Sequence, residues 1–298
     1  MRNRKKGKRF AGLLVLLALL GAFALSGCGK KSDQVDSPAE ERDTEEKAKD
    51  GAEEEPEDAL DEEGAGEEAA DENEEAESSV ELSDTVRWFN ASYAILTELN
   101  GWDYNIFAGL PANDMVKELE VQSLEQWWSV TDRKSADDTL QWALNEGHRT
   151  EFASLMQELS DAGMSDVAQE ERVNFMLQHY EVTEEKAQLY VNWYAMFEQY
   201  GAGAIDGWDY CRALNLVSFY YLAQYYTEEE ALNKSLEIAQ MVQPLFGSWE
   251  ELVESYLRGY EYWAEESAEE RRQVFEDLKS RPDNPYQVDY NTKLEKTW

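Results

Sequence analysis

The hydrophobic pattern divides the chain into stretches of different kind. From about Leu82 to the end, apolar residues recur three and four positions apart with polar residues between them, the period of helices that bury one face. No run there alternates apolar and polar with period two. The pattern therefore predicts an all-α, single compact multi-helix domain of about nine helices over residues 82–298, a length sufficient for its own core. Helix starts are legible in the polar positions. Thr227-Glu228-Glu229-Glu230, Ser248-Trp249-Glu250-Glu251 and Ser267-Ala268-Glu269-Glu270 each set a hydroxyl three residues ahead of a Glu, so that each side chain can satisfy the other's free backbone amide. Ser135 with Asp138, and Thr183 before Glu184-Glu185, give weaker starts. Breaks fall at Asn100-Gly101, Pro111, Gly147, Gly163, Gly201 to Gly207, Pro244 and Gly247.

One predicted helix departs from the one-faced pattern. The run WDYCRALNLVSFYYLAQYY, Trp208 to Tyr226, is apolar almost all the way round and reads as a central, enclosed helix. Its polar members Asp209, Arg212, Asn215 and Ser218 recur every third residue. Asp209 and Arg212 are spaced to pair with each other, and an enclosed charge without a partner costs about 3–5 kcal/mol.

Upstream of the domain the pattern changes twice. MRNRKKGKRF carries six bases and no acid, and it runs into AGLLVLLALLGAFA, an apolar segment too short to favour spanning a bilayer. The segment closes on Leu25-Ser26-Gly27-Cys28, which looks like the lipobox of bacterial lipoproteins. The expectation is a lipoprotein signal peptide over 1–27, with Cys28 lipidated as the mature N-terminus and anchored stably by two or more acyl chains on the extracytoplasmic side of a bacterial membrane. Residues 28–80 are rich in Glu, Asp, Ala, Gly, Ser and Pro without an aromatic residue, a composition that predicts a disordered acidic tether spanning roughly 40 Å.

Charge narrows the partners. The whole chain carries −37, of which −25 lies from Glu81 onward, so both tether and domain are acidic. Nucleic acid, whose binding needs neutralised phosphates, is excluded as a partner. Basic proteins, cations and neutral sugars are compatible. Only one other cysteine exists, Cys211, so once Cys28 is lipidated no internal disulfide is available and the core alone must hold the domain.

The run Trp208-Asp209-Tyr210-Cys211-Arg212-Ala213-Leu214-Asn215-Leu216, followed by Tyr226-Thr227-Glu228-Glu229-Glu230-Ala231, Ser248-Trp249-Glu250-Glu251 and Tyr256-Leu257-Arg258-Gly259, resembles the bacterial "domain of unknown function 1266" family. Leu124-Glu125-Gln126-Trp127-Trp128 with Asp132-Arg133, Trp142 to Arg149, and the closing Pro282-Asp283-Asn284-Pro285-Tyr286 look like further blocks of that family in the same order. The resemblance spans roughly Leu96 to Tyr290. It implies a family and brings no activity, substrate or catalytic residue with it.

Candidate chemistry is sparse. His148, beside Glu146 and Arg149, is a candidate general acid or base, and equally a cap for the helix that precedes it. An envelope enzyme of hydrolase type would draw on a polar cluster of Asp209, Arg212, Asn215, His148 and Glu146. His179 lacks a metal-ligand spacing, no cofactor motif is present, and Cys211 in an apolar helix reads as packing. Trp127, Trp128, Trp208 and Tyr221 are candidates for an aromatic cleft that would stack on glycans. The leading expectation is a lipid-anchored binding or interaction module, with a protein or a cell-envelope glycan as partner. The tetrapeptide GWDY occurs twice, at 101–104 and 207–210, with flanks that do not align. The first copy reads as a turn with an aromatic plug and the second as the start of the central helix.

Overall fold

The computed structural model describes residues 82–298. The expected signal peptide over 1–27, the lipidation site Cys28 and the tether over 28–80 lie outside the described residues. Among the described residues the chain forms α-helices joined by short loops and single 3-10 turns, without a strand, as the period of the apolar residues requires. The helices are α1 (Asp84–Ser92), α2 (Ala94–Leu99), α3 (Asp114–Trp128), α4 (Arg133–Asn145), α5 (Gly147–Asp161), α6 (Arg172–His179), α7 (Glu184–Tyr200), α8 (Asp206–Leu222), α9 (Glu228–Val242), α10 (Trp249–Ala264) and α11 (Glu269–Ser280). The division of the first periodic run at Tyr93 was not expected, whereas the break between α4 and α5 falls where Gly147 placed it. Tyr93 separates α1 from α2, and Glu146 separates α4 from α5.

Several helix starts follow the polar pattern. Thr227 and Glu230 form a reciprocal capping box at α9, and Thr183 and Ser248 accept the amides of Lys186 and Glu251 at α7 and α10. At α10 the returning carboxylate of Glu251 goes one residue further back and takes the amide of Gly247 at 2.6 Å. Two starts differ from expectation. At α11 the cap residue is Ala268, whose own amide is taken by Glu261 at 3.2 Å, while Ser267 accepts only the Glu269 amide. At α4 the cap is Asp132, and Ser135 occupies the third helical position of the box in place of the cap itself.

α8 is the axis of the fold, enclosed by α10, α9, α4 and α3. Twelve of its 17 residues are buried, so its near-uniform apolarity is matched by neighbours on every side. It ends earlier than the sequence suggests. Gln224 turns into the left-handed region (φ 59°), and the amides of Tyr225 and Tyr226 both return to the carbonyl of Tyr220. Tyr226 then leaves the helix line and donates its hydroxyl proton to Asp137 on α4 at 2.6 Å.

α8 and α10 cross at close range. A β-carbon on Gly207 would lie 2.6 Å from the carbonyl oxygen of Leu252 and 2.8 Å from the amide nitrogen of Tyr256, and one on Gly259 2.1 Å from the Cβ of Trp208, so neither position has room for a side chain. After α11 the C-terminal segment crosses back over the domain. Its carbonyls at Val288, Tyr290 and Leu294 accept from Trp249, Trp88 and Gln240, tying the tail to α10, α1 and α9. The first GWDY is the expected turn: Asp103 Oδ1 accepts the amide of Asn105, and Trp102 packs edge-on against Phe219 of α8.

Candidate functional site

The polar residues of α8 face the break between α4 and α5. α5 begins at Gly147 without a side-chain cap from its own N-cap residue, Glu146. Its free amides are capped from another helix. Asp209 Oδ1 accepts the amide of His148 at 3.1 Å, and Oδ2 accepts the amide of Arg149 at 2.8 Å. A carboxylate placed at a helix N-terminus is favoured both by these donors and by the helix dipole. Gly147 makes the approach possible. Its φ is +60°, and a β-carbon there would stand 2.3 Å from Asp209 Oδ2.

Arg149 closes the junction from the other side. Its Nη1 donates to Asp209 Oδ2 at 3.2 Å and to the carbonyl of Ala143 at 2.7 Å, while Nη2 donates to the carbonyl of Leu144. One guanidinium thus satisfies the last carbonyls of α4 and the carboxylate that caps α5, and its face lies over Tyr210. Burial alone would raise the Asp209 carboxyl. The hydrogen bonds from His148 and Arg149 outweigh it and hold the group below the usual carboxylate range.

Asp209 and Arg212 do not form the direct pair that their spacing allows; Arg149 takes that place. Arg212 lies instead over the rings of Trp128, Trp208 and Trp263, at 4.3, 4.6 and 5.7 Å from their centroids. Its Nη1 is 3.3 Å from His148 Nδ1. Desolvation pushes the guanidinium down to about 10, so it remains cationic at neutral pH, stabilised by three aromatic faces. His148 Nδ1 also lies 3.3 Å from Asp209 Oδ1, and the ring stands edge-on to Trp142. A proton on Nδ1 suits Asp209, whereas a lone pair there suits Arg212, so the two neighbours ask for opposite tautomers.

The structure brings together three of the five expected polar residues. Asn215 is buried one turn further along α8 and hydrogen-bonds Ser218 at 3.3 Å. Glu146 is exposed and offers the junction only its backbone. Of the aromatic candidates, Trp128 and Trp208 converge, with Arg212 filling the space between them. Trp127 is on the outer side of α3, and Tyr221 packs on Phe107. These four line no common cleft. The cavity beside Arg212, which Asn215, Tyr256, Cys211 and Ser92 also border, has room for about one water molecule. Cys211 is buried and desolvation raises its thiol, consistent with the packing role expected of it.

Sequence reasoning read Gly147 only as a break and Arg149 only as a neighbour of His148, and it passed over Trp263. The first two had a usable signal: a glycine directly after a helical run, followed at the third position of the next helix by an arginine. Trp263 had none, because its meeting with Arg212 depends on how α8 and α10 cross.

A model of the family described as "Protein of unknown function (DUF1266)" matches residues 123–290. That span holds the whole junction, from Trp128 through His148 and Arg149 to Asp209, Arg212 and Trp263. No curated protein and no solved structure matches the chain.

Proposed function

The chain belongs to the DUF1266 family, and from that premise we propose that this member is a lipid-anchored binding module held on the extracytoplasmic side of a bacterial membrane. The observation that carries the reading is the opening of the sequence: six bases, a short apolar run and Leu25-Ser26-Gly27-Cys28 at its end. A thiol at that position suits diacylglyceryl transfer, and the acidic residues that follow are repelled by anionic headgroups, which favours holding the domain away from the bilayer.

Catalysis through the Asp209 carboxylate or His148 Nδ1 is disfavoured by how the junction uses those atoms. Both oxygens of Asp209 are occupied by backbone amides and by Arg149, and His148 Nδ1 is held between Asp209 and Arg212. A general base needs a free lone pair within reach of a substrate proton. Here the same atoms join three helices.

Replacement of Cys28 by Ser tests the anchor. The wild-type chain, expressed in a bacterial host, is expected in the membrane fraction with a diacylglyceryl mass on its N-terminal peptide, and Cys28→Ser is expected to accumulate as the unprocessed precursor. Normal cleavage of Cys28→Ser, or a wild-type N-terminus without lipid, would refute the reading.

A further inference from the structure

α3 packs on the domain along one side only, through Leu124 with the partly buried Val116, Val121 and Trp128. Of its 15 residues only Glu120 and Leu124 are buried, against twelve of 17 in α8. Its other side carries Met115 at 73 % exposure, Leu119 at 62 % and Trp127 at 46 %. Single exposed apolar side chains are ordinary. These three fall on one ridge of the helix, Met115-Leu119-Ser123-Trp127, each four residues from the next, and such a ridge seats in the groove of a second helix. Asp114 and Glu118 are exposed on the adjoining row of the helix, on the Met115 side of the ridge, Glu125 is exposed further round, and Lys117 is the helix's one basic residue. On the flank nearer the body, Glu120 is buried with its Oε1 unpartnered.

We propose that α3 is a recognition helix, and that its Met115-Leu119-Trp127 ridge, flanked by Asp114 and Glu118, docks an amphipathic helical segment of a partner protein carrying Lys or Arg beside its apolar face. The proposal rests on the binding-module reading and names the surface and the partner chemistry for it. Charge selects the occupant. A second copy would set the same acids against one another, and an anionic lipid surface would meet them with like charge. A basic helix matches the acids while its apolar face covers the ridge, the usual division of labour in helix-to-groove recognition. Trp127 supplies a large side chain of the type that dominates interface energetics. When ionised, Glu120 adds negative potential beneath the ridge.

The test uses the full chain in detergent and two fluorescent synthetic helices with identical leucine faces, one edged with Lys and the other with Glu. The Lys helix is expected to bind at least ~10-fold more tightly than its Glu twin, and to weaken steeply as salt rises. Leu119→Asp is expected to weaken the Lys helix at least ~10-fold while leaving the circular dichroism unchanged. The double variant Asp114→Lys/Glu118→Lys is expected to shift preference toward the Glu helix. Equal binding of the two helices, no binding of the Lys helix, or an unaffected Leu119→Asp would each overturn the proposal. So would phosphatidylglycerol-vesicle binding abolished by Leu119→Asp, or a dimer in sedimentation that the same substitution dissolves. None of these readouts depends on lipid at Cys28, so failure of the anchor and failure of the recognition helix are separable.

Discussion

Glu120 is 5 % exposed, has no hydrogen bond at Oε1, and is lifted by burial alone from its ordinary 4.5 to about 7. Its sign of linkage follows from that rise. Below pH 4.5 the folded and unfolded chains both hold the proton and burial costs no ionisation energy. Between 4.5 and 7 the unfolded chain releases its proton first, so stability falls as pH rises, and above 7 the loss is complete at on the order of 3 kcal/mol. Glu120→Gln removes the titration. Its stability relative to wild type, from urea midpoints at about pH 4.5 and pH 8, is expected to improve at the higher pH by most of that amount, and a difference that does not change with pH would contradict the assignment. The sequence did not flag Glu120, because Lys117-Glu118-Leu119-Glu120 reads as the polar side of a helix. Only the placement of α3 against α8 turns that carboxylate inward while Leu119 turns out. Asp209 was legible because an acid in an apolar run needs a partner. Which partner was not, since Arg212 is near in sequence and Arg149 is near only once α5 packs on α8.

At the scale of elements, capping starts were the most readable feature where the cap is local, as at Thr183, Thr227 and Ser248. They misled where a residue from another helix competes, as Glu261 does for the amide of Ala268. α5 is the extreme case, since its cap comes from Asp209, 61 positions from His148 in the chain. One carboxylate therefore couples the end of α4, the start of α5 and the enclosed α8. Asp209→Asn keeps the shape, removes the charge opposite Arg149, and replaces an acceptor by an amide that meets backbone donors. It is expected to destabilise the domain by about 3–5 kcal/mol, with the first-turn amides of α5 losing hydrogen-exchange protection earliest. Uniform loss of protection across the domain, with α5 no different from α8, would show that the carboxylate is not the cap on which α5 depends.

At the scale of the whole molecule, the fold class was legible from the period of apolar residues, and the ordered sequence blocks indicated the family that the match over 123–290 shows. The helix crossings were not legible, because contacts such as Gly259 against Trp208 depend on the packing of distant segments. Charge has a consequence that no local motif reveals. From Glu81 onward the chain carries a net charge of −25, so most carboxylates there have no cation to pair with, and the folded domain repels itself. Salt acts on two opposed quantities here. It weakens exposed ion pairs such as Lys134–Asp138 and Lys234–Glu237, which contribute little to begin with. It also screens repulsion among the many unpaired acids over a Debye length that shrinks from about 20 Å to about 4 Å between roughly 20 and 500 mM NaCl. With acids in more than twofold excess the second effect is the larger, and the ion network around Asp209 is shielded from salt by burial. The melting temperature is therefore expected to rise by a few degrees across that range, equivalent to about 1–2 kcal/mol for a domain of this size. A melting temperature that falls with NaCl would mean that the exposed ion pairs, and not the excess of negative charge, govern the electrostatic stability of this fold.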